Sequence, residues 1–159
     1  MKILLPVDGS DISLEAVRFA IRMAGEGLNT SAVLANVQEP STLYELVVAH
    51  DPQVLEQVSA SAGAHTLLAA QALLDGANIA YESEVASGDP AHTLVEIVER
   101  YGCDLVVMGA SGTSSLRSAL LGSVSNEVLH AAGVPVMIVK SGSEPDSALS
   151  NEPGDDAES

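Results

Sequence analysis

The sequence has little positive charge, one cysteine and no long apolar run, and each shortage excludes a class of protein. Its 159 residues include 6 Lys and Arg against 22 Asp and Glu, a formal net charge of -16. No basic surface is therefore expected for nucleic acid or for an anionic membrane. The lone Cys103 excludes an internal disulfide framework and is typical of a buried apolar side chain in a reducing compartment. Because no run approaches the about 20 apolar residues of a membrane span, and residues 1–7 are too short for a secretion signal, we expect a cytoplasmic protein.

The remaining composition suits a single folded domain. Hydrophobic residues make up 47% of the chain, enough to bury a core in a domain of this size. After Lys140 the chain becomes acidic, without a basic residue and with few side chains that could be buried. We predict a folded domain over residues 1–140 and a disordered acidic tail over residues 141–159.

Short apolar runs alternate with longer segments of helical period, which is typical of an α/β fold with a parallel sheet. The predicted strands are residues 3–7, 31–37, 79–85, 105–108 and 136–139. The third strand alternates, with Glu82 and Glu84 on one side. We interpret these two residues as a solvated face of an edge strand.

Polar capping residues and prolines mark four helix starts, at Ser10 or Asp11, at Asp51-Pro52, at Asp89-Pro90 and at Ser123. Glycines 25 and 76 end the first two helices. The side of the second helix predicted to face the core consists of Val54, Leu55, Val58, Ala62, Leu68 and Ala72. In the fourth helix we predict Val124, Val128 and Leu129 to face the sheet. Residues 38–51 have no clear period and are left as a loop or a short helix.

Two strand ends carry residues suited to an anion. The first strand runs into Pro-Val-Asp-Gly-Ser at residues 6–10, the fourth runs into Gly109 and Gly112, and Gly122-Ser123 opens the last helix. Glycines let backbone N–H groups approach a phosphate, and a helix N-terminus supplies free donors. The same residues also fit turn glycines, a helix cap at Gly122-Ser123 and an Asp8 that braces a turn.

The spacing Gly109-x2-Gly112-x9-Gly122-Ser123, with residues 6–10 before it, resembles the nucleotide-binding pattern of the universal stress protein family over residues 1–140. The resemblance implies a doubly wound α/β fold with a five-stranded parallel sheet in the order 3-2-1-4-5 and helices on both faces, of the adenine nucleotide alpha hydrolase-like type. It also implies ATP as ligand and an antiparallel homodimer through the strand at residues 136–139, which this order places at a sheet edge.

The resemblance assigns a role to each residue of the site. The residues that line the adenosine pocket are Pro6, Val7 and Asp8, and Val37 contacts adenine. Alternatively, Asp8 is a ligand for a phosphate-bound divalent ion. Met108 and Gly109 face the ribose, and Arg117 closes over the terminal phosphate. The residues that hold the phosphates through N–H and hydroxyl groups are Gly112, Gly122, Ser123, Val124 and Ser125. The full set is Pro6, Val7, Asp8, Val37, Met108, Gly109, Gly112, Arg117, Gly122, Ser123, Val124 and Ser125.

The loop after the fourth strand departs from the family pattern. Family members that bind ATP often carry basic or His residues around the second glycine, where this chain has Ser111, Thr113 and Ser114. An acidic domain repels the negatively charged ATP at short range. We therefore expect ATP to bind together with Mg²⁺.

These features favour a nucleotide-sensing module of a stress response over a rapid enzyme, since the loop offers one arginine and no evident general base. Slow ATP hydrolysis stays open. The Walker A, Gly-x-Ser-x-Gly and Rossmann glycine patterns are absent, and the four histidines lack metal-ligand spacing. Two alternatives remain: a homodimeric interaction protein of the same family that uses no nucleotide and has an unknown protein partner, and a flavodoxin-like FMN protein, which the absence of Trp disfavours.

Overall fold

The structure, a computed structural model, describes residues 1–40, 47–48, 50–111 and 121–141. These residues form five strands and four helices that alternate along the chain. In chain order they are β1 (Lys2–Pro6), α1 (Asp11–Gly25), β2 (Ser31–Gln38), α2 (Pro52–Gly76), β3 (Tyr81–Ser87), α3 (Pro90–Tyr101), β4 (Leu105–Gly109), α4 (Ser123–Ala131) and β5 (Val136–Val139). The predicted tail beyond residue 141, and residues 41–46 and 49 of the segment 38–51, lie outside the described residues.

All five strands are parallel and lie in the order β3-β2-β1-β4-β5. The predicted fold class is therefore confirmed, with β3 and β5 at the two edges. The chain first builds outwards from β1 to β3 and then returns to add β4 on the other side of β1. This reversal opens a crevice between β1 and β4 at their carboxyl ends, where open parallel sheets bind ligands.

The central strands are apolar because helices cover both faces of the sheet. Alternate residues of β1 enter different cores: Ile3 and Leu5 pack with α1 and α2, whereas Leu4 packs with α3 and α4. All three side chains are fully buried. Burying each contributes about 1.5–3 kcal/mol relative to an exposed position.

Three of the four predicted capping residues are confirmed. The Ser10 Oγ accepts from the Ser13 N–H at 3.3 Å, the Asp51 carboxylate from the Gln53 N–H at 2.9 Å, and the Asp89 carboxylate from the His92 N–H at 3.0 Å. The fourth helix begins at Ser123, but the predicted cap was wrong by one residue, because Gly122 occupies the cap position of α4.

The predicted core-facing side of α2 was also wrong. Val54, Val58 and Leu68 are 49%, 60% and 55% exposed, and the buried residues are Gly63, Leu67, Ala70 and Leu74. Apolar residues occur all round this helix, so its periodicity does not single out one face. The small residues settle the orientation, because they let the helix approach the sheet closely. Leu129 of α4 is likewise exposed, whereas Val128 is buried.

The edge strand β3 carries an ion pair with a partly buried carboxylate in addition to its exposed face. Glu82 is exposed as predicted, but the Glu84 side chain is only 16% exposed, and its Oε1 accepts from Arg100 Nη1 at 2.8 Å. The prediction of a solvated face was therefore wrong for Glu84. Its carboxylate is also the main cause of a raised pKa of the nearby Tyr101 hydroxyl. Cys103, two residues after α3, is buried as predicted, and burial raises the pKa of its thiol.

Candidate functional site

A cavity of about 290 Å³ lies at the carboxyl ends of β1, β2 and β4, where the strand order reverses. This volume is close to the lower end of ligand cavities, which run from about 300 Å³ upwards. Its apolar wall comes from Ala35 and Val37 of β2, Met108 of β4, and Pro90 and Leu94 of α3. Such a wall suits a planar, weakly polar group such as a nucleobase.

The β1 side of the cavity is held in place from β2. The Val7 N–H donates to the Ala35 carbonyl at 2.8 Å, which extends the strand pairing past Pro6. The Asn36 Nδ2, in a side chain only 4% exposed, donates to the Val7 carbonyl at 2.8 Å. Both backbone polar groups of Val7 are thus paired, and the chain leaving β1 has a defined direction into the cavity.

Asp8 follows directly and lines the cavity with an exposed carboxylate. Its Oδ1 accepts from the Ser10 N–H at 2.9 Å and from the Ser10 hydroxyl. Gly9 between them has φ +86°, a left-handed conformation that favours glycine. Asp8 therefore braces the turn into α1 and also presents a carboxylate to the cavity. Its turn-bracing role and its predicted place in a binding site are thus compatible.

The glycines at the β4 side allow close approach of other chain segments. A Cβ on Gly109 would lie 3.0 Å from two side-chain carbons of Ile12, and one on Gly122 would lie 3.2 Å from the Ser111 Cα. The Gly122 N–H donates to the Ala110 carbonyl at 2.7 Å. The start of α4 is therefore held in contact with the segment that follows β4.

The N-terminus of α4 opens onto the cavity without a capping side chain among the described residues. The first N–H groups of a helix lack partners within the helix and carry a partial positive charge. Ser123, Val124 and Ser125 line the cavity, so this helix end is suited to bind an anion through backbone N–H groups. The Ser125 hydroxyl donates to the Gly109 carbonyl at 2.8 Å, so its proton is not free for a phosphate, in contrast to the role expected for it.

The charge around the cavity is negative. Asp8 and Glu39 line it, whereas no lysine, arginine or histidine does so in the part of the chain that the structure describes. Within the same residues no group of three His, Cys, Asp or Glu could hold a metal ion by itself. A bound phosphate would therefore depend on backbone donors and on a cation brought with the ligand.

Ten of the twelve predicted site residues line this one cavity, and Gly112 and Arg117 lie outside the described residues. The ten are Pro6, Val7, Asp8, Val37, Met108, Gly109, Gly122, Ser123, Val124 and Ser125. Sequence reasoning missed six lining residues: Ser13, Ala35, Glu39, Pro90, Leu94 and Ser111. A two-residue period along β2 links Ala35 and Glu39 to Val37 and could have found them, whereas the contribution of α3 depends on how that helix packs.

Known proteins resemble the chain over nearly its whole length. The sequence model of the universal stress protein family matches residues 1–140. Universal stress protein MJ0531 of Methanocaldococcus jannaschii is 32% identical over 139 residues, which cover 87% of this chain and 81% of that protein.

Solved structures of related proteins have the same fold as the chain. The structure of MJ0577, also from M. jannaschii, superposes with a TM-score of 0.76 at 25% identity and covers 90% of this chain and 97% of its own. A universal stress protein in complex with cAMP superposes with a TM-score of 0.66 at 26% identity and covers 87% of this chain and 96% of its own. No helix in the described ranges has the length and apolar character needed to cross a membrane.

Proposed function

The chain belongs to the universal stress protein family, and on that basis we propose that it binds an adenine nucleotide in the cavity between β1, β2 and β4. The observation that carries the proposal is the convergence of ten predicted site residues on one cavity. Its two sides have different chemistry, an uncapped helix N-terminus and an apolar wall. A nucleotide has the same division between phosphate and base. The related protein in complex with cAMP supports the adenine nucleotide class.

Within that class we assign ATP with Mg²⁺ as the ligand. The lining residues fit the cation, since Mg²⁺ is commonly held by one or two carboxylates together with phosphates. Asp8 supplies a carboxylate, and no described lining residue supplies positive charge. The cation would neutralise phosphate charge beside this carboxylate. The backbone N–H groups at the start of α4 would hold the phosphates from the other side.

We assign sensing rather than rapid turnover to the site. Phosphoryl transfer needs a positioned nucleophile and strong stabilisation of developing charge. The described lining residues offer hydroxyls and carboxylates, and Asp8 is engaged in the turn at Ser10. Binding that changes the surface around the cavity is the activity that this arrangement supports best.

The experiment combines mass spectrometry of nucleotide released from the denatured, freshly purified protein with calorimetric titration of Mg²⁺-ATP. Gly122→Val is the test variant, because a side chain there meets Ser111 at the cavity edge, and Gly133→Val is its control, because nothing lies within 4 Å of a Cβ on Gly133. We expect binding in wild type and control and loss in Gly122→Val with the fold retained by circular dichroism. Absence of binding and of co-purified nucleotide in wild-type protein would refute the proposal.

A second function, association of two copies through β5, rests on a separate observation. Among the described residues, the edge strand β5 pairs with β4 alone, and its Met137 is 39% exposed. An apolar edge strand with free backbone groups favours pairing with another chain. We expect Met137→Lys to lower the mass in analytical ultracentrifugation from dimer to monomer. Leu129→Lys, at a residue of α4 that is 41% exposed, should leave the mass unchanged.

A further inference from the structure

The cavity has an acceptor on the side opposite its donors. Glu39 follows β2, while the donors of α4 stand beside β4, and β1 lies between these two strands. Two strand spacings separate β2 from β4, about 10 Å. A nucleotide with its phosphate at α4 therefore extends its base towards β2.

Glu39 lies on the same face of β2 and its continuation as two residues of the apolar wall. Ala35, Val37 and Glu39 are two residues apart, so they share one face of the strand and of its continuation, and all three line the cavity. A base packed against Val37 thus has a carboxylate next to it. An ionised carboxylate accepts hydrogen bonds and donates none.

We propose that Glu39 selects the base by accepting a hydrogen bond from the exocyclic amino group of adenine. This inference rests on the proposed function and deepens it. A purine with hydrogen in place of the amino group would leave the carboxylate without a donor. A guanine would present its 6-oxo oxygen at the same position, where a carboxylate repels it.

The effect is expected to be moderate. Hydrogen bonds to charged groups are stronger than neutral ones, but Glu39 is exposed, so water competes for its carboxylate. We expect AMP to bind about five- to tenfold more tightly than purine riboside 5′-monophosphate. The two ligands carry the same phosphate and sugar, so their ratio of Kd values isolates the amino group.

The test titrates ATP, AMP, purine riboside 5′-monophosphate and GMP into full-length protein by calorimetry, with the same excess of Mg²⁺ in every titration, so that the cation does not differ between ligands. Glu39→Ala should bring the AMP and purine riboside monophosphate Kd values within about twofold of each other by weakening AMP alone. Glu39→Gln retains a carbonyl acceptor and should keep part of the preference. Glu56→Ala is the control, since it removes an equal charge from an exposed position of α2 that lines a different cavity, and it should keep the full ratio.

The outcomes separate the two proposals. Absence of binding by every nucleotide overturns the proposed function and this inference with it. Binding of AMP and of purine riboside monophosphate with equal Kd in wild type, or an unchanged ratio in Glu39→Ala, overturns the role of Glu39 alone. GMP binding more tightly than AMP would show that the carboxylate reads the N1–H and 2-amino donors of guanine, and would overturn the assignment to adenine.

Discussion

Replacing Gly63 with alanine tests how α2 is seated on the sheet. In most helix interiors this change is stabilising by up to about 1 kcal/mol, because alanine has the higher helix propensity. Here the added Cβ would lie 2.3 Å from Val85 Cγ1 and 2.9 Å from Asn36 Oδ1. Both distances are below the ordinary contact range, so either the helix or its neighbours must move.

Neither neighbour can move easily. Val85 is β-branched and confined to a preferred rotamer, and the Asn36 amide is hydrogen-bonded to both Val7 and Gln38, at 2.8 and 2.6 Å. Overpacking in cores costs about 1–3 kcal/mol. Set against the propensity gain, we expect a net loss of about 1–2 kcal/mol in the free energy of unfolding, or a fall in Tm of roughly 3–8 °C.

The assay is urea and thermal denaturation followed by circular dichroism. Gly76→Ala in the same helix is the matched control, since nothing lies within 4 Å of a Cβ there, and it should be neutral or slightly stabilising. The double variant Gly63→Ala with Val85→Ala should lose less than the sum of the two single variants, because the clash with Val85 disappears. Gly63→Ala protein as stable as Gly76→Ala protein would refute the close approach of α2.

Two further predictions concern the other face of the sheet. Arg100→Ala should lower Tm, because the half-buried Glu84 carboxylate loses its cationic partner while its Oε2 accepts no hydrogen bond in the described structure. Adding Glu84→Gln should recover part of the loss, since burying a neutral amide costs less than burying a charged carboxylate. A Tm equal to wild type for Arg100→Ala would contradict this account. The Cys103 thiol, with a pKa raised by burial, should react with iodoacetamide at pH 8 at least about tenfold more slowly in native protein than in urea. Because the neutral thiol is the form favoured in the folded state, its contribution to stability should be complete below the ordinary thiol pKa and decline as the pH rises through the raised one.

The sequence by itself determined the parts of this protein that depend on local pattern. The alternation of apolar runs with helical segments predicts five strands and four helices, and three helix starts follow from Ser10, Asp51 and Asp89 as capping residues. The strand bounds differ from the prediction by two residues or fewer, because strand ends depend on pairing partners that local pattern does not include. The strand order was implied by the family resemblance, which rests on the glycine spacing after the fourth strand.

Only the tertiary structure decided which of several equivalent surfaces meet. The apolar residues of α2 surround the helix, and the close contact of Gly63 with Val85 selects the buried face. The Ser125 hydroxyl has a partner in Gly109 that lies 16 residues away in the chain. Glu39 and Pro90 share one cavity although α2 and β3 lie between them in the sequence. Periodicity reports the preference of a segment for burial, whereas the identity of the group that covers it depends on packing between distant segments.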